Sequence, residues 1–251
     1  MTPYKVINGL GVVLFWTVLL GLAYAAQVPL VDAVLLALLL VAVPTFSLAQ
    51  IPLIGDVQIE RLPAYWSSIF TLWLIGTACW MVGTRETGAA ALGLVAIPSS
   101  EFIGWTVGVT ITSLLIMFTF RQITVVTGGF DSPLLRQLLP RSPEERRLFL
   151  ALSVAAGSGE ELAYRGYAIP LLTPLIGLPG AAVLTTLVFG IMHGYQGWLG
   201  IARTTIVGGV LAYAFIASGS LWPPIAAHIL IDVFAGITLG ERLLVTQEEA
   251  V

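Results

Sequence analysis

Charge is what this sequence has least of. Only 10% of its 251 residues are Asp, Glu, Lys or Arg, where a soluble domain carries roughly a quarter. Hydrophobic residues make up 57%, and the mean hydropathy is +0.95. Such a chain cannot cover itself with polar surface, so it reads as an integral membrane protein. Its single cysteine, Cys79, lies in an apolar run. That excludes a disulfide framework and a cysteine-based metal site, and leaves core packing as its role. Basic stretches are missing, so nucleic acid is not an expected partner, and the net charge of -3 discriminates little. The serine-hydrolase elbow G-x-S-x-G is missing too, as is the zinc-protease pattern H-E-x-x-H. There is no internal repeat, low-complexity segment or soluble domain. Histidine is scarce as well: His193 and His228 are the only two.

Apolar length is abundant. About 20 apolar residues cross ~30 Å of hydrocarbon as a helix, and such windows fall at Ile7–Ala26, Leu30–Gln50, Ala64–Gly83, Glu101–Phe120, Pro143–Leu172, Gly180–Gly194, Trp198–Ala217 and Trp222–Gly240. The expected fold is all-α, a polytopic membrane bundle of about eight transmembrane helices. Residues 1–142 read as N-terminal membrane helices, 143–240 as a core and 241–251 as a short cytoplasmic tail. Gly157 and Gly159 offer the fifth helix places to bend. Gly177, Pro179 and Gly180 break the chain before the sixth, and Gly219, Pro223 and Pro224 before the eighth. "RSPEERR" (Arg141–Arg147) reads as a polar helix start at the membrane surface. Lys5, an apolar run and "AYA" at Ala23–Ala25 resemble a secretory signal, although the length of the run and the spans that follow favour a first spanning helix. With the N-terminus cytoplasmic, Lys5, Arg61, Arg121, Arg136, Arg141, Arg146, Arg147 and Arg242 fall inside and Arg85 outside. The rule that basic loops stay inside then predicts that both termini are cytoplasmic.

Ionisable residues away from helix ends gather in the second half: Glu160, Glu161, Arg165, His193, Arg203, His228 and Asp232. Burying such groups in a bilayer is costly, so each is a functional candidate. Glu161 and Arg165 share a helix face in the favourable acid-before-base order, which leaves Glu160 free for another task. His228 and Asp232 also share a face. A carboxylate, an imidazole and an imidazole–carboxylate pair on three helices suit general-base activation of water and support of an oxyanion. Water is the better nucleophile candidate, because Cys79 has no evident partner and Ser158 sits on a predicted helix. Other polar residues read more plainly: Arg203 as snorkelling to the interface, Asp32 and Glu101 as helix-end residues, and Trp66, Trp105, Trp198 and Trp222 as interfacial anchors.

"EELAYR" (Glu160–Arg165) fits E-E-x-x-x-R, "FGIMH" (Phe189–His193) fits F-x-x-x-H, and "HILID" (His228–Asp232) fits H-x-x-x-N/D. In that order, with "GSLWPPIAAH" before the last motif, they resemble the CPBP intramembrane glutamic endopeptidases, which include the type II CAAX prenyl proteases and bacteriocin-processing enzymes. The resemblance covers roughly residues 143–240; residues 1–142 agree only in being several spanning helices. It implies that Glu160 and His193 activate water, that His228 and residue 232 support the oxyanion, and that Glu161 and Arg165 are structural. It also implies a membrane-embedded peptide or lipidated protein as substrate, a prokaryotic plasma membrane as location, and no cofactor. Asp232 departs from the Asn of many relatives. An ionised Asp cannot donate to an oxyanion, so the expected role of Asp232 is to orient His228.

Three other readings remain open at this point. Glu160, His193 and His228 match the composition of a two-His, one-carboxylate zinc site. A non-catalytic scaffold or regulator of the same fold would carry the same helices. A proton-coupled transporter could use the same buried groups as a relay, although the inverted repeats that would favour it are missing. Simple full spans would also hold His193, near the end of one helix, many ångströms from His228, near the start of another.

Overall fold

The computed structural model describes residues 3–54, 58–86 and 88–245. Among them there are only helices and connections: α1 (Pro3–Leu20), α2 (Leu30–Ala37), α3 (Val43–Ile54), α4 (Arg61–Gly83), α5 (Ser99–Val126), α6 (Pro133–Gln137), α7 (Pro143–Glu161), α8 (Ile169–Met192), α9 (Trp198–Ser218), α10 (Trp222–Val233) and α11 (Gly240–Leu243). Wider π-helical turns continue α1, separate α2 from α3 and α7 from α8, and follow α10.

Among the described residues, six helical runs are long and apolar enough to cross a membrane: Tyr4–Ala25, Leu30–Pro52, Arg61–Gly83, Ser99–Val126, Pro143–Met192 and Trp198–Ser218. Trp222–Thr238 is apolar but shorter. The expected fifth and sixth spans both lie in the run Pro143–Met192, in which two helices meet at a kink where the sequence places its break. It bends at Gly177 (φ 73°, ψ 158°), a backbone conformation that a Cβ disfavours. Outward-facing Phe70 (70% exposed), Leu115 (61%) and Val126 (84%) form an apolar exterior of the kind lipid accepts and water does not. The molecule is an integral membrane helical bundle.

Helix α7 begins with the polar start that its sequence suggests. Ser142 Oγ accepts from Glu145 N at 3.1 Å, and Glu145 Oε2 accepts from Ser142 N at 3.0 Å, a reciprocal cap that satisfies two otherwise orphaned donors. Helix α7 runs on through Gly157 and Gly159. They let neighbours close in on two sides. A Cβ on Gly159 would stand 2.6 Å from the Leu72 carbonyl oxygen of α4, and one on Gly157 would stand 3.0 Å from the Ile229 nitrogen of α10. Backbone-to-backbone approach of this kind is how helices pack where no hydrophobic effect drives them together. Around it lies a core of Leu36, Leu39, Cys79, Tyr164, Ile169, Leu172 and Phe189, with Cys79 fully buried in it.

Two polar residues differ from their sequence reading. Arg203 is buried rather than snorkelling: it pairs with Asp131 at 3.4 Å and donates to Gln196 Oε1 at 3.0 Å. Asp32, 2% exposed, is not an idle helix-end residue. It accepts from Arg85 through both carboxylate oxygens and from the Tyr167 hydroxyl at 2.8 Å. Trp66, Trp198 and Trp222 are exposed, as anchors would be, whereas Trp105 is half-buried with its ring edge-on to that of the exposed Tyr213. The part of the expected tail within the described residues is packed down. Leu243, Leu244 and Val245 are buried, and Asp131 and Val245 exchange backbone and side-chain hydrogen bonds.

Candidate active site

The site is built from the ends of two helices and the middle of a third. Glu160 and Glu161 close α7, and at Leu162 the helix widens into a π segment through Ala168. A π turn fits more residues into each turn than an α-helix does. Here it sends three large side chains to three different partners. Tyr164 donates to the Leu39 carbonyl at 3.2 Å, Tyr167 donates to Asp32, and Arg165 turns back to Glu161. Ala163, Gly166 and Ala168 keep the spaces between them small; a Cβ on Gly166 would meet the Leu92 carbonyl oxygen at 2.9 Å.

Glu161 and Arg165 are both fully buried. Arg165 Nη1 donates to Glu161 Oε1 at 2.8 Å, Nη2 donates to the Gly208 carbonyl at 2.8 Å, and the guanidinium lies 4.4 Å over the Phe189 ring. Glu161 does more than pair with arginine. The same Oε1 receives the His228 Nδ1 proton at 2.8 Å. This corrects the expected role of Asp232. Its Oδ1 lies 3.9 Å from His228 Nε2, beyond hydrogen-bond range, so the carboxylate that orients the imidazole is Glu161. The physical reason is tertiary: Gly157 lets α10 approach α7 closely enough for His228 to reach across.

With Nδ1 committed, His228 presents Nε2 to Glu160 Oε2 at 3.8 Å and to Asp232 at 3.9 Å. Exposure grades across the cluster: the side chains of Glu161, His228, Glu160 and Asp232 are 0, 8, 15 and 32% accessible. His193 caps the end of α8 and contributes the Nδ1–H that the Phe189 carbonyl accepts at 2.8 Å, so its Nε2 is left as an acceptor. The Glu160 carboxylate comes within ion-pair range of His228 and makes no such contact with His193.

Phe189 joins the two histidines. Its ring centroid is 4.8 Å from that of His193 and 6.0 Å from that of His228. Full spans would have held these rings apart, and two features of the fold bring them to one aromatic ring. Helix α8 changes direction at Gly177 before it reaches His193. Helix α10 starts inside the bundle, where Leu221 N donates to the Gly93 carbonyl at 2.7 Å and Ser220 and Leu221 are fully buried. Pro223 and Pro224 suit that start, because the first turn of a helix has no use for their missing N–H groups.

Tyr195, on the short 3-10 turn Gly194–Gln196, was not singled out in the sequence reading. Its ring lies 5.9 Å from that of His193, and "HGYQG" alone carries no signal that would have found it. Among the described residues, no three His, Cys, Asp or Glu side chains gather in a way that could hold a metal ion.

A helical membrane bundle that buries a Glu–Arg–His cluster beside a second carboxylate and a second imidazole has the groups of a membrane-embedded hydrolase. Residues 143–234 match the family described as Type II CAAX prenyl endopeptidase Rce1-like. Neither a curated protein nor a solved structure matches the chain.

Proposed function

We propose that the protein is an intramembrane endopeptidase that hydrolyses a peptide bond of a membrane-associated or lipid-modified substrate with water. The observation that carries this reading is His228: Glu161 fixes its Nδ1, and its Nε2 faces two carboxylates on the more open side of the cluster. A carboxylate on one ring nitrogen that aims the other at the reacting atoms is the orienting logic of hydrolytic triads. Separations of 3.8 and 3.9 Å are too long for direct hydrogen bonds and suit a shared small polar group. Glu160 takes a proton from water and later returns it to the leaving amine. The free Nε2 of His193 is a second acceptor on the same aromatic ring. His228, once protonated, donates from Nε2 to the oxyanion, while Arg165 and Glu161 keep it in place. No resident metal is required by this scheme. Basic residues near the helix ends orient the chain with both termini in the cytoplasm.

The test is cleavage by the full chain reconstituted in liposomes, offered a farnesylated peptide ending in a CaaX sequence and an unlipidated apolar peptide, with fragments identified by mass spectrometry. Wild type should cleave, and Glu160→Gln should fold equally well and lose about 10²–10⁴ in rate, the usual worth of a positioned acid–base group. Full turnover by Glu160→Gln would refute the assignment.

A further inference from the structure

We propose that the hydroxyl of Tyr195 is a further catalytic group, a neutral hydrogen-bond donor to the oxyanion, and that Gln196 and Arg203 are the residues that aim it. This rests on the endopeptidase reading above. Asp131 is fixed on one side by Val245, whose N–H donates to Oδ2 at 2.8 Å. On the other side its Oδ1 receives Arg203 Nη1 at 3.4 Å. Arg203, buried and able only to donate, places Nη2 3.0 Å from Gln196 Oε1, and Thr204 adds its hydroxyl at 3.4 Å.

Two donors therefore meet one end of the Gln196 amide, which settles which way the amide faces. Its NH2 must point the other way, where Nε2 donates to the Tyr195 hydroxyl oxygen at 3.2 Å. A phenol that accepts from an amide keeps its own proton for another partner. That proton is available within the cluster, for the Tyr195 ring stands beside His193, which packs on the Phe189 ring that His228 also meets.

Chemistry gives the proton a use. As water attacks the carbonyl carbon, the C=O π pair moves onto oxygen, and that oxygen needs donors where charge develops. An ionised Asp232 has no proton to give, and His228 supplies one bond. Tyr195 supplies a second without transferring its proton; the proton from water goes to Glu160 and then to the leaving nitrogen. Asp131, Arg203 and Gln196 act through Tyr195 as positioning residues.

The experiment measures kcat and KM for the farnesylated CaaX peptide with reconstituted full-length variants. Tyr195→Phe should lower kcat about 10²–10³-fold, the loss seen when one oxyanion donor is removed. KM should stay within about threefold, since the bond is made only in the transition state. Gln196→Glu still accepts from Arg203 but takes the Tyr195 proton for itself, so it should lower kcat similarly in a protein of undiminished stability. The double variant should be no slower than Tyr195→Phe alone. If Tyr195→Phe fails to fold, Gln196→Glu decides by itself, and near-wild-type kcat overturns the proposal. Losses that multiply in the double variant also overturn it, because they would show two independent effects. Wild-type kcat in Tyr195→Phe, alongside an inactive Glu160→Gln, overturns the role of Tyr195 and leaves the endopeptidase reading standing. A wild type that cleaves nothing overturns that reading and this role with it.

Discussion

Replacing Glu161 by Gln removes one charge from a fully buried carboxylate and changes almost no volume. Oε1 of Glu161 accepts from Arg165 and from His228, each at 2.8 Å. Hydrogen bonds of this charge-assisted kind contribute about 1.5–3 kcal/mol each, and breaking a buried ion pair from one side costs about 3–5 kcal/mol. Gln keeps an oxygen that can still accept, which places the expected loss near the lower end, about 3 kcal/mol. Nothing nearby compensates: Glu161 Oε2 and Arg165 Nε are already buried without hydrogen-bond partners, and the arginine keeps only the Gly208 carbonyl and the Phe189 face. At 1.4 kcal/mol per decade the folded-to-unfolded ratio should fall about 10²-fold, measurable by denaturant titration of the protein in mixed micelles. The structure adds an activity loss, because His228 loses its orienting partner. The paired substitution Glu161→Leu with Arg165→Met separates the two effects. Removing both partners of a buried pair is often neutral for stability, so stability should return while activity does not. A Glu161→Gln protein that loses less than about 1 kcal/mol, or a double variant that regains turnover, would refute the reasoning.

Two further outcomes follow from distances. Asp232→Asn should change turnover by less than about tenfold, because Asp232 does not hold His228 and an amide adds a donor beside the site; a pH–rate profile of this variant that collapses to background would show that its charge is needed after all. Gly159→Ala should destabilise the bundle by about 1–3 kcal/mol, as overpacking does, because the added Cβ meets the Leu72 carbonyl at 2.6 Å and backbone cannot rotate away. Unchanged unfolding in that variant would mean that α4 and α7 are not in close register.

Composition and apolar run length settle that this chain lives in a bilayer as helices, because an apolar surface this extensive and a backbone that must satisfy itself leave few alternatives. Local spacing settles equally local facts: the Ser142–Glu145 cap, and the Glu161–Arg165 contact one turn apart. The candidate residues were legible for the same reason, since an ionisable group in an apolar span is conspicuous in a sequence. The break at Gly177 was legible too, from the glycines and proline around it, whereas the length of the last apolar helix was not, since Trp222–Thr238 is shorter than the expected span. Nor was the partner of His228. Asp232 lies closest along the chain, but Glu161, on another helix, makes the bond, because two glycines set how near α7 stands to its neighbours. Gln196 and Tyr195 escaped notice altogether and Arg203 was read as snorkelling, because the three are connected only where Asp131 and Val245 fold back on them. Spacing along one helix reports which side chains share a face. Only packing decides what that face meets, since a contact across helices depends on an approach distance that no single segment carries.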